Sequence, residues 1–391
     1  MDTHKALSVV ALLKCDTYQR PFLKEQLIKG LSLIGFDPSM MKGARVVLKP
    51  NLLSAVDHLS GVVTHPEFFR AAVEIVLENG GNPILVESPA VSSLENALTI
   101  TGYQQVIDEL SIDIAQGKSV TTIANEQGRI FKYFEVIPEL LEADIILNLP
   151  KFKTHELTYI TGAVKNLFGF IPGMRKSQMH MRFSDKISFC EFLLDLYGAV
   201  THGLKKNTRV LHLMDAIIGL EGQGPGSSGR PRKIGVVLIS EDAVALDYIA
   251  TKVAGLDVAQ HQTVVSGFAR GYCPSGPKGI DVKGEQVSEV KISGYLPAGS
   301  PRVSRFIYSM ASSKTIRDLF IARPVPDSDR CTLCYQCRKI CPAGAIEKAQ
   351  NKDKTPFFDY RKCIRCYCCM EVCPSEAITL RRGTLQWVLR L

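Results

Sequence analysis

The chain lacks the features that mark a membrane-spanning, exported or nucleotide-binding protein. No apolar run reaches the length of about 18 residues that a transmembrane helix needs. No G-x-x-x-x-G-K-S/T loop is present, and no G-x-G-x-x-G turn joins a strand to a helix, so neither kind of nucleotide phosphate site is expected. The apolar run at 6–13 follows only Lys5 and lacks a small-residue cleavage site, which favours a first strand over a signal peptide. A cytoplasmic protein without a membrane span is therefore predicted.

Positive charge is present, but it is not gathered into a nucleic-acid-binding module. The 391 residues carry 47 Lys or Arg and a net charge of +8, scattered along the chain without a recognisable binding motif. Nucleic acid is therefore not expected as a partner. Hydrophobic content of 46% and charged content of 22% are those of a soluble globular protein. The length predicts two or three domains.

Cysteine is abundant and clustered. Nine of the 12 cysteines lie between residues 331 and 373, and eight of these form two runs that both read C-x2-C-x2-C-x3-C-P. This spacing is that of bacterial-type ferredoxins, in which three cysteines of a run bind one 4Fe–4S cluster and the fourth binds the other. The fourth cysteine, which precedes proline, is expected to start a short helix. Structural zinc is the alternative, but two such runs offer more sulphur than a four-ligand zinc site needs.

The two runs predict two interleaved ligand sets. One set is Cys331, Cys334, Cys337 and Cys373, and the other is Cys341, Cys363, Cys366 and Cys369. Cys368 is an additional thiol, which either does not bind iron or competes with Cys369 for it.

Residues 327–391 carry twelve Lys or Arg and seven Asp or Glu. This basic balance either attracts an acidic electron donor such as ferredoxin or flavodoxin, or merely offsets the negative clusters.

The rest of the chain predicts a separate, larger domain. Residues 323–330 are rich in Pro and Asp and are expected to be a linker between a domain at 1–322 and the ferredoxin-type domain at 331–391. In the large domain, apolar strand segments alternate with helical segments, which predicts an α/β domain with a mostly parallel sheet flanked by helices. The cysteine-rich part is expected to be a small α+β ferredoxin-like domain. The expected strands are 7–13, 45–49, 83–87, 144–149, 210–214 and 234–239, and the expected helices are 21–34, 66–79, 187–203 and 243–254.

Polar side chains follow the predicted strands where these end, which is where α/β sheets bind ligands. The lysines there suit a carboxylate or phosphate, so a small anionic substrate is expected. The predicted ligand pocket consists of Lys49, Asn51, Glu87, Lys151, Lys165, Asn166 and Glu221. Lys153, His155 and Asp215 are the candidate catalytic residues, with the last two handling protons. Each of these candidate residues could instead have no role in ligand binding or catalysis. Lysines at strand ends are often only solvated, and a single histidine is more often structural than catalytic.

Several of these segments together resemble a known family. They are Val46-Val-Leu-Lys-Pro-Asn51, Thr64-His-Pro66, Asn148-Leu-Pro-Lys-Phe-Lys-Thr-His155, Lys165-Asn-Leu-Phe-Gly169, Asp215 with Glu221-Gly-Gln-Gly-Pro225, and Ala245-Leu-Asp247. The resemblance is to the family called domain of unknown function 362, whose members are often fused to a two-cluster ferredoxin domain. It implies an iron–sulphur protein of bacteria or archaea and brings no settled reaction, so it assigns no catalytic role.

The sequence as a whole predicts an iron–sulphur oxidoreductase. Electrons would enter two 4Fe–4S clusters from an acidic carrier and pass to a ligand at the sheet edge. Two alternatives stay open: a non-enzymatic electron-transfer subunit of a larger complex, and a binding or maturation protein whose clusters are structural or sensory. No flavin site is recognisable, which favours delivery of single electrons.

Overall fold

The computed structural model describes residues 7–52, 55–88, 93–115, 119–173, 175–183, 185–205, 207–226, 229–274, 276–298, 323–350 and 353–381. None of the helices in these ranges is both long and apolar enough to cross a bilayer. The strands are β1 (Ser8–Lys14), β2 (Arg45–Pro50), β3 (Asn82–Leu85), β4 (Asp113–Ile114), β5 (Thr121–Ala124), β6 (Tyr133–Val136), β7 (Ile145–Leu149), β8 (Lys151–His155), β9 (Tyr159–Thr161), β10 (Arg209–Gly222), β11 (Gly229–Ser240), β12 (Ile280–Gly284), β13 (Arg323–Pro326), β14 (Ile346–Glu347), β15 (Phe357–Phe358) and β16 (Ile378–Arg381). The α-helices are α1 (Arg20–Leu33), α2 (Pro66–Glu78), α3 (Leu94–Thr101), α4 (Tyr103–Leu110), α5 (Glu139–Glu142), α6 (Ala163–Asn166), α7 (Arg175–Arg182), α8 (Lys186–His202), α9 (Ala243–Val253), α10 (Gln262–Ala269), α11 (Val287–Val290), α12 (Gln336–Ile340) and α13 (Cys368–Glu371).

One mixed sheet of ten strands forms the centre of the large domain. Its order is β12-β1-β11-β10-β7-β2-β3-β4, with β8 and β9 attached beside β10. The pairings make every strand of this sheet run in one direction except β11 and β9. The prediction of a mostly parallel sheet flanked by helices is confirmed. The carboxyl ends of β1, β2, β3, β7 and β10 therefore meet at one edge.

Two apolar cores cover the two faces of this sheet. Along β1, Val10 and Leu12 belong to the core on one face, and Ala11 and Leu13 belong to the core on the other. This alternation is the period of two that a strand imposes on its side chains. Helices α8, α9 and α10 pack on the first face, and α1, α2, α3 and α4 pack on the second. A strand buried on both faces must be apolar throughout, which is why the central strands were readable from sequence.

The strands expected at 210–214 and 234–239 are much longer in the structure. They extend to Arg209–Gly222 and Gly229–Ser240 and pair with each other as an antiparallel hairpin. A register shift between Ala216 and Ile218 interrupts the ladder without ending either strand. Glu221 and Gly222 lie beyond the expected strand and end β10, and residues 227 and 228 lie outside the described residues.

The cysteine-rich part forms a small α+β unit with two short sheets. Strand β13 pairs with β16, and β14 pairs with β15. Arg323–Pro326 was expected in the linker, but it is the strand β13. The expectation that the fourth cysteine of each run starts a helix is wrong: α12 contains the third cysteine, Cys337, and ends before Cys341, and α13 contains Cys369 and ends before Cys373. Cys341 has an extended backbone with a ψ of 107°, because the proline that follows disfavours the helical conformation in the residue before it.

Candidate functional site

Two cavities in the small unit are each lined by four cysteines. One is lined by Cys331, Cys334, Cys337 and Cys373, and the other by Cys341, Cys363, Cys366 and Cys369. Each cavity takes three cysteines from one run and the fourth from the other run. The fold thus brings together the same two sets of sulphurs that the spacing predicts as ligands.

The two loops that carry these cysteines have matching backbones. Leu333 and Tyr335 have left-handed φ angles of 54° and 57°, and Arg365 and Tyr367 at the corresponding positions have 59° and 61°. Such angles are uncommon for residues with a side chain and persist where the surrounding structure demands them. Here they curl each loop around its cavity, so that consecutive cysteines face the same space.

Each fourth cysteine also receives a backbone hydrogen bond. The N–H of Ala345 donates to the Cys341 sulphur at 3.2 Å, and the N–H of Ala377 donates to the Cys373 sulphur at 3.2 Å. Donors aimed at sulphur favour the thiolate, which is the form that binds metal. The repeated sequence therefore folds into a repeated coordination environment.

Without a bound cation, these sulphurs would be poor anions. Burial, with the nearby Cys373 sulphur as the next cause, raises the pKa of Cys337 to about 12. Burial and the sulphurs of Cys366 and Cys363 raise the pKa of Cys369 well above its ordinary value. Coordinated iron would supply the missing positive charge and deprotonate the thiols. The donor set therefore fits an iron–sulphur cluster in each cavity.

The arrangement of the sulphurs favours a cluster over a single ion. Within the described ranges, no three His, Cys, Asp or Glu side chains converge as the ligands of one metal ion do. The four sulphurs of each set instead surround an apolar cavity, and Phe358 lies against both cavities. Cys368 lines neither of them and packs with Ile340 and Cys366 in a separate buried cluster.

In the large domain, a cleft opens at the carboxyl edge of the sheet. Among its described lining residues are four lysines and one glutamate. The lining consists of Lys49, Asn51, Leu52, Glu87, Lys153, Thr161, Lys165, Asn166, Phe168, Gly169 and Lys176. Five members of the sequence-predicted pocket are thus brought together: Lys49, Asn51, Glu87, Lys165 and Asn166. Lys153 joins them from the predicted catalytic group.

The floor of the cleft is a buried ion pair. The Lys49 ammonium lies 2.6 Å from a Glu87 carboxylate oxygen and also donates to the Pro50 carbonyl at 2.6 Å. The side chain of Lys49 is 1% exposed and that of Glu87 is 4% exposed. Gly169 is required beside them, because a Cβ atom there would lie 2.1 Å from the Lys49 side chain. This pair offsets its own charge, so the net positive charge of the lining comes from the other lysines.

A chain of buried amides fixes one wall of the cleft. Asn51 donates to Asn166 at 2.9 Å, and Asn166 donates to Asn148 at 2.7 Å. Asn148 in turn contacts the His212 ring at 2.9 Å. Burial lowers the pKa of His212 to about 3, so its ring is neutral and can accept from or donate to an amide. Each amide is thereby oriented by the next.

Helix α6, which carries Lys165 and Asn166, is anchored at its start by Asp247. The Asp247 carboxylate accepts from the N–H groups of Ala163 at 2.6 Å and Val164 at 3.1 Å. Burial raises the pKa of Asp247 to about 7, and these two N–H groups oppose the rise. Gly162 leaves room for this carboxylate, because a Cβ there would lie 2.2 Å from it. The Ala245-Leu-Asp247 motif therefore positions the cleft without lining it.

The structure corrects the placement of Lys151 and Asp215, which do not line the cleft. They form a separate buried pair at 2.8 Å, and Tyr18 donates to Asp215 at 2.8 Å. The His65 backbone N–H also donates to Asp215 at 3.0 Å, and the His65 ring stacks on Tyr18. Burial lowers the pKa of Lys151, and the adjacent Asp215 opposes that effect. The group joins β8, β10 and the segments after β1 and before α2.

His155 and Glu221 are also placed elsewhere. The fully buried His155 ring accepts the N–H groups of Leu157 at 3.0 Å and Thr158 at 3.3 Å, so it holds the turn after β8. Glu221 accepts the N–H of Leu296 at 3.1 Å. Of the candidate catalytic residues Lys153, His155 and Asp215, the structure places Lys153 in the lining of the cleft, whereas His155 Nδ1 accepts from the backbone and Asp215 pairs with Lys151.

Sequence reasoning missed Lys176 and Thr161. Lys176 comes from α7, a basic helix, and its ammonium donates to the Ser88 carbonyl. Nothing local marks Lys176, because it reaches the cleft only through the packing of α7 beside the loop after β3. Thr161 could have been found, because it directly precedes the Lys165-Asn166 segment at the end of β9.

A larger cavity of about 400 Å³ lies at the opposite edge of the sheet, where β1 begins and β11 ends. Its half-buried carboxylate, Asp242, accepts from Val244 and Ala245 at the start of α9 and from the Ser8 hydroxyl. These bonds assign Asp242 to helix capping, so the candidate ligand site remains the cleft.

Comparison with known proteins places these features in a family. A family model described as domain of unknown function (DUF362) matches residues 46–252, and one described as a 4Fe-4S dicluster domain matches residues 322–377. The thylakoid-associated protein sll1697 of Synechocystis sp. (strain ATCC 27184 / PCC 6803 / Kazusa) is 31% identical over 307 residues, which are 76% of this chain and 92% of that protein.

Solved structures show only a distant likeness. A crystal structure of a Thermotoga maritima protein aligns with a TM-score of 0.40 and 14% identity, over 66% of this chain and 60% of that one. The lactate racemase apoprotein from Thermoanaerobacterium thermosaccharolyticum aligns with a TM-score of 0.39 and 12% identity, over 66% of this chain and 59% of that one. The family matches are the informative ones: this chain belongs to the DUF362 family and carries a ferredoxin-type 4Fe–4S domain on the C-terminal side of its family domain.

Proposed function

We propose that this protein is an oxidoreductase that holds two 4Fe–4S clusters and delivers single electrons to an anionic ligand bound in the cleft. The observation that supports this most directly is the pair of cavities, each lined by four cysteines drawn from both runs. When bound, the clusters supply reversible one-electron transfer. The dicluster family match supports electron transfer as the general activity.

The residues around the cysteines prepare the cavities for this role. The apolar side chains of Phe358, Ile346 and Ile378 line them. The donors from Ala345 and Ala377 stabilise thiolate charge where the fourth ligand binds. A cavity with an apolar lining and with its ligands already in place reorganises little when the charge inside it changes. A small reorganisation favours rapid electron transfer.

The cleft is suited to an anion because of its charge and its rigidity. Four lysines and one glutamate line its described part, so positive charge is in excess. Lys49 is fixed by Glu87, and Lys165 and Asn166 sit on the anchored helix α6. A carboxylate or phosphate would gain charge-assisted hydrogen bonds there, which are stronger than neutral ones. Lys153 remains the proposed catalytic residue, since it is the member of the predicted trio that reaches the cleft.

Two alternative functions predict different experimental results from the proposed one. An electron-transfer subunit would show the same cluster chemistry with an empty cleft, and a maturation or sensory protein would show redox-dependent partner binding without net turnover. Cytoplasmic location also stays a prediction, and the related Synechocystis protein is named for thylakoid association. Anion binding and electron uptake are therefore the two properties to measure.

Anion binding should depend on the two lysines at the rim of the cleft. We expect the Lys165→Gln/Lys176→Gln protein to bind inorganic phosphate or oxalate at least tenfold more weakly than wild type, a loss of about 1.4 kcal/mol. Isothermal titration calorimetry on anaerobically purified holoprotein measures this directly. The matched control is Lys205→Gln, since Lys205 pairs with Asp144 at 2.7 Å near the other ends of the strands. Equal affinities for the double variant and wild type, or no binding of either anion, would contradict the cleft assignment.

Electron uptake should depend on salt if the donor is an acidic protein. Arg338 and Lys339 are exposed in the last turn of α12, next to Cys337 and Cys341. We expect the bimolecular rate of reduction by a purified acidic ferredoxin to fall at least tenfold between about 20 mM and about 500 mM NaCl. Stopped-flow bleaching of the cluster absorbance reports the rate.

The matched variants for this experiment reverse charge near to and far from the clusters. Arg338→Glu/Lys339→Glu should slow reduction at low salt, whereas Lys42→Glu in the large domain should not. A rate that is independent of salt and of Arg338 and Lys339 would favour the alternative in which the basic residues only offset cluster charge.

A further inference from the structure

The two cysteine loops differ at several matched positions, one of which lies between the first and second cysteines of each run. Cys331, Leu333 and Cys334 in the first loop correspond to Cys363, Arg365 and Cys366 in the second. Leu333 and Arg365 share nearly the same left-handed φ, 54° and 59°, so the backbones place both side chains at equivalent points. The second loop therefore adds a positive charge where the first has an apolar group.

The added charge is buried beside the Cys363 sulphur. Arg365 is 3% exposed, and its guanidinium lies 5.3 Å from the centre of the Tyr360 ring. Burial raises the pKa of the Cys363 thiol, and the backbone N–H, the charge and the side-chain hydrogen bond of Arg365 oppose that rise. A guanidinium remains protonated even when it is buried. Arg365 is therefore a fixed cation at the edge of the second cavity.

The loops also differ in exposure. Cys334 is exposed, whereas Cys366 at the matched position is buried. The first cavity is thus the one that a soluble electron donor can approach. Burial alone would disfavour added negative charge in the second cavity, because low polarity penalises charge. A hydrogen-bonded guanidinium attracts added negative charge, and this attraction is strongest in low-polarity surroundings. It therefore opposes the unfavourable effect of burial.

We propose that Arg365 makes the cluster held by Cys341, Cys363, Cys366 and Cys369 the one with the higher reduction potential. This inference rests on the proposed binding of two clusters. The set that includes Cys334 would hold the cluster that accepts one electron from a low-potential donor of the ferredoxin or flavodoxin class, which is thereby oxidised. The set beside Arg365 would hold the cluster that receives this same electron from the first. No bond or proton is transferred between the two cavities, so Arg365 acts as a positioning residue that gives the electron a direction.

An EPR-monitored redox titration of anaerobically purified holoprotein tests this inference. Wild type should show two separate midpoint potentials. Arg365→Leu, which copies the first loop, should lower the higher midpoint by at least about 59 mV, a tenfold change in the ratio of reduced to oxidised cluster. The other midpoint should stay in place. Leu333→Arg should raise the lower midpoint.

Two further variants separate charge from hydrogen bonding and packing. Arg365→Lys should keep most of the wild-type separation, whereas Arg365→Gln should lose it while still offering a side-chain donor. These variants keep the inference testable even where Arg365→Leu loses iron. Midpoints that remain unchanged in Arg365→Gln and Arg365→Leu, or that both move by the same amount, would overturn it.

Iron and sulphide analysis distinguishes the two levels of the argument. A wild-type protein with about eight irons and eight sulphides but no shift in the Arg365 variants would overturn the role of Arg365 alone. A wild-type protein with only about four irons would overturn the proposed two-cluster function on which it rests.

Discussion

Replacing Lys151 with methionine should lower the free energy of unfolding by about 3–5 kcal/mol, because it leaves a buried carboxylate without its cation. Lys151 and Asp215 are 1% and 0% exposed and lie 2.8 Å apart. The Lys151 ammonium also donates to the Tyr18 hydroxyl at 3.0 Å. Methionine matches the length of the aliphatic stem, so the lost charge and hydrogen bonds dominate the effect. Urea unfolding of the holoprotein under argon, followed by circular dichroism, measures the change.

Two comparisons make this result specific to the buried pair. Lys205→Met removes one partner of a half-exposed ion pair and should change stability by less than about 1 kcal/mol. Lys151→Met/Asp215→Asn removes both charges and should regain at least about 1 kcal/mol of the loss. If Lys151→Met were as stable as Lys205→Met, the buried Asp215 carboxylate would not require Lys151 for the stability of the fold. A double variant no better than the single one would assign the loss to packing.

The regular part of the large domain was readable from sequence because its strands are buried on both faces. The segments at 45–49 and 144–149 contain the apolar runs 46–48 and 145–147 and form β2 and β7 within about a residue of the expected bounds. Strand β10 was not readable beyond Met214. Its second half contains Asp215, Gly219 and Glu221, which interrupt any apolar pattern. Their partners, including Tyr18 and Leu296, lie far away in sequence, so no local window could show that these polar groups are satisfied within a strand.

The site was partly readable for a related reason. The rule that strand ends meet at one edge grouped Lys49, Asn51 and Glu87, and all three line the cleft. It could not separate Lys151 from Lys153, since alternate residues of an ideal strand share a face. The pairing of β8 with β10 shifts register between these two positions, from Lys151 with Asp215 to Lys153 with Leu220. One lysine is thereby directed to the buried pair and the other to the cleft.

The cysteines were readable because their chemistry depends on spacing within a local loop, and only the partner of each fourth cysteine needs tertiary structure. The matched left-handed residues of the two loops show that the repeat extends to the backbone. The side chains depart from the repeat at several matched positions: Arg365 stands where the first run has Leu333, and Met370 and Glu371 stand where it has Arg338 and Lys339. The two runs therefore share a backbone pattern and differ in charge.

Alanine at two cysteines in the same cavity should leave about four irons, whereas alanine at two cysteines in different cavities should leave almost none. Cys341 lines the cavity of Cys363, and Cys373 lines the cavity of Cys331. We therefore expect Cys341→Ala/Cys363→Ala to lose one cluster and keep the other. Cys331→Ala/Cys341→Ala should lose both, although these two residues belong to the same run. Alanine is the right substitute, because serine oxygen can still bind iron.

Iron and acid-labile sulphide analysis with EPR of the dithionite-reduced proteins gives the outcome. The control Cys368→Ala should keep about eight irons, since Cys368 lines neither cavity. Ligation confined to each run would reverse the two double variants, so that Cys331→Ala/Cys341→Ala kept about four irons. If both kinds of pair lost all iron, the cavities would be interdependent in assembly and the assignment of four ligands to each would be contradicted. The pairing of cysteines across runs therefore makes a quantitative prediction that spacing within one run cannot produce.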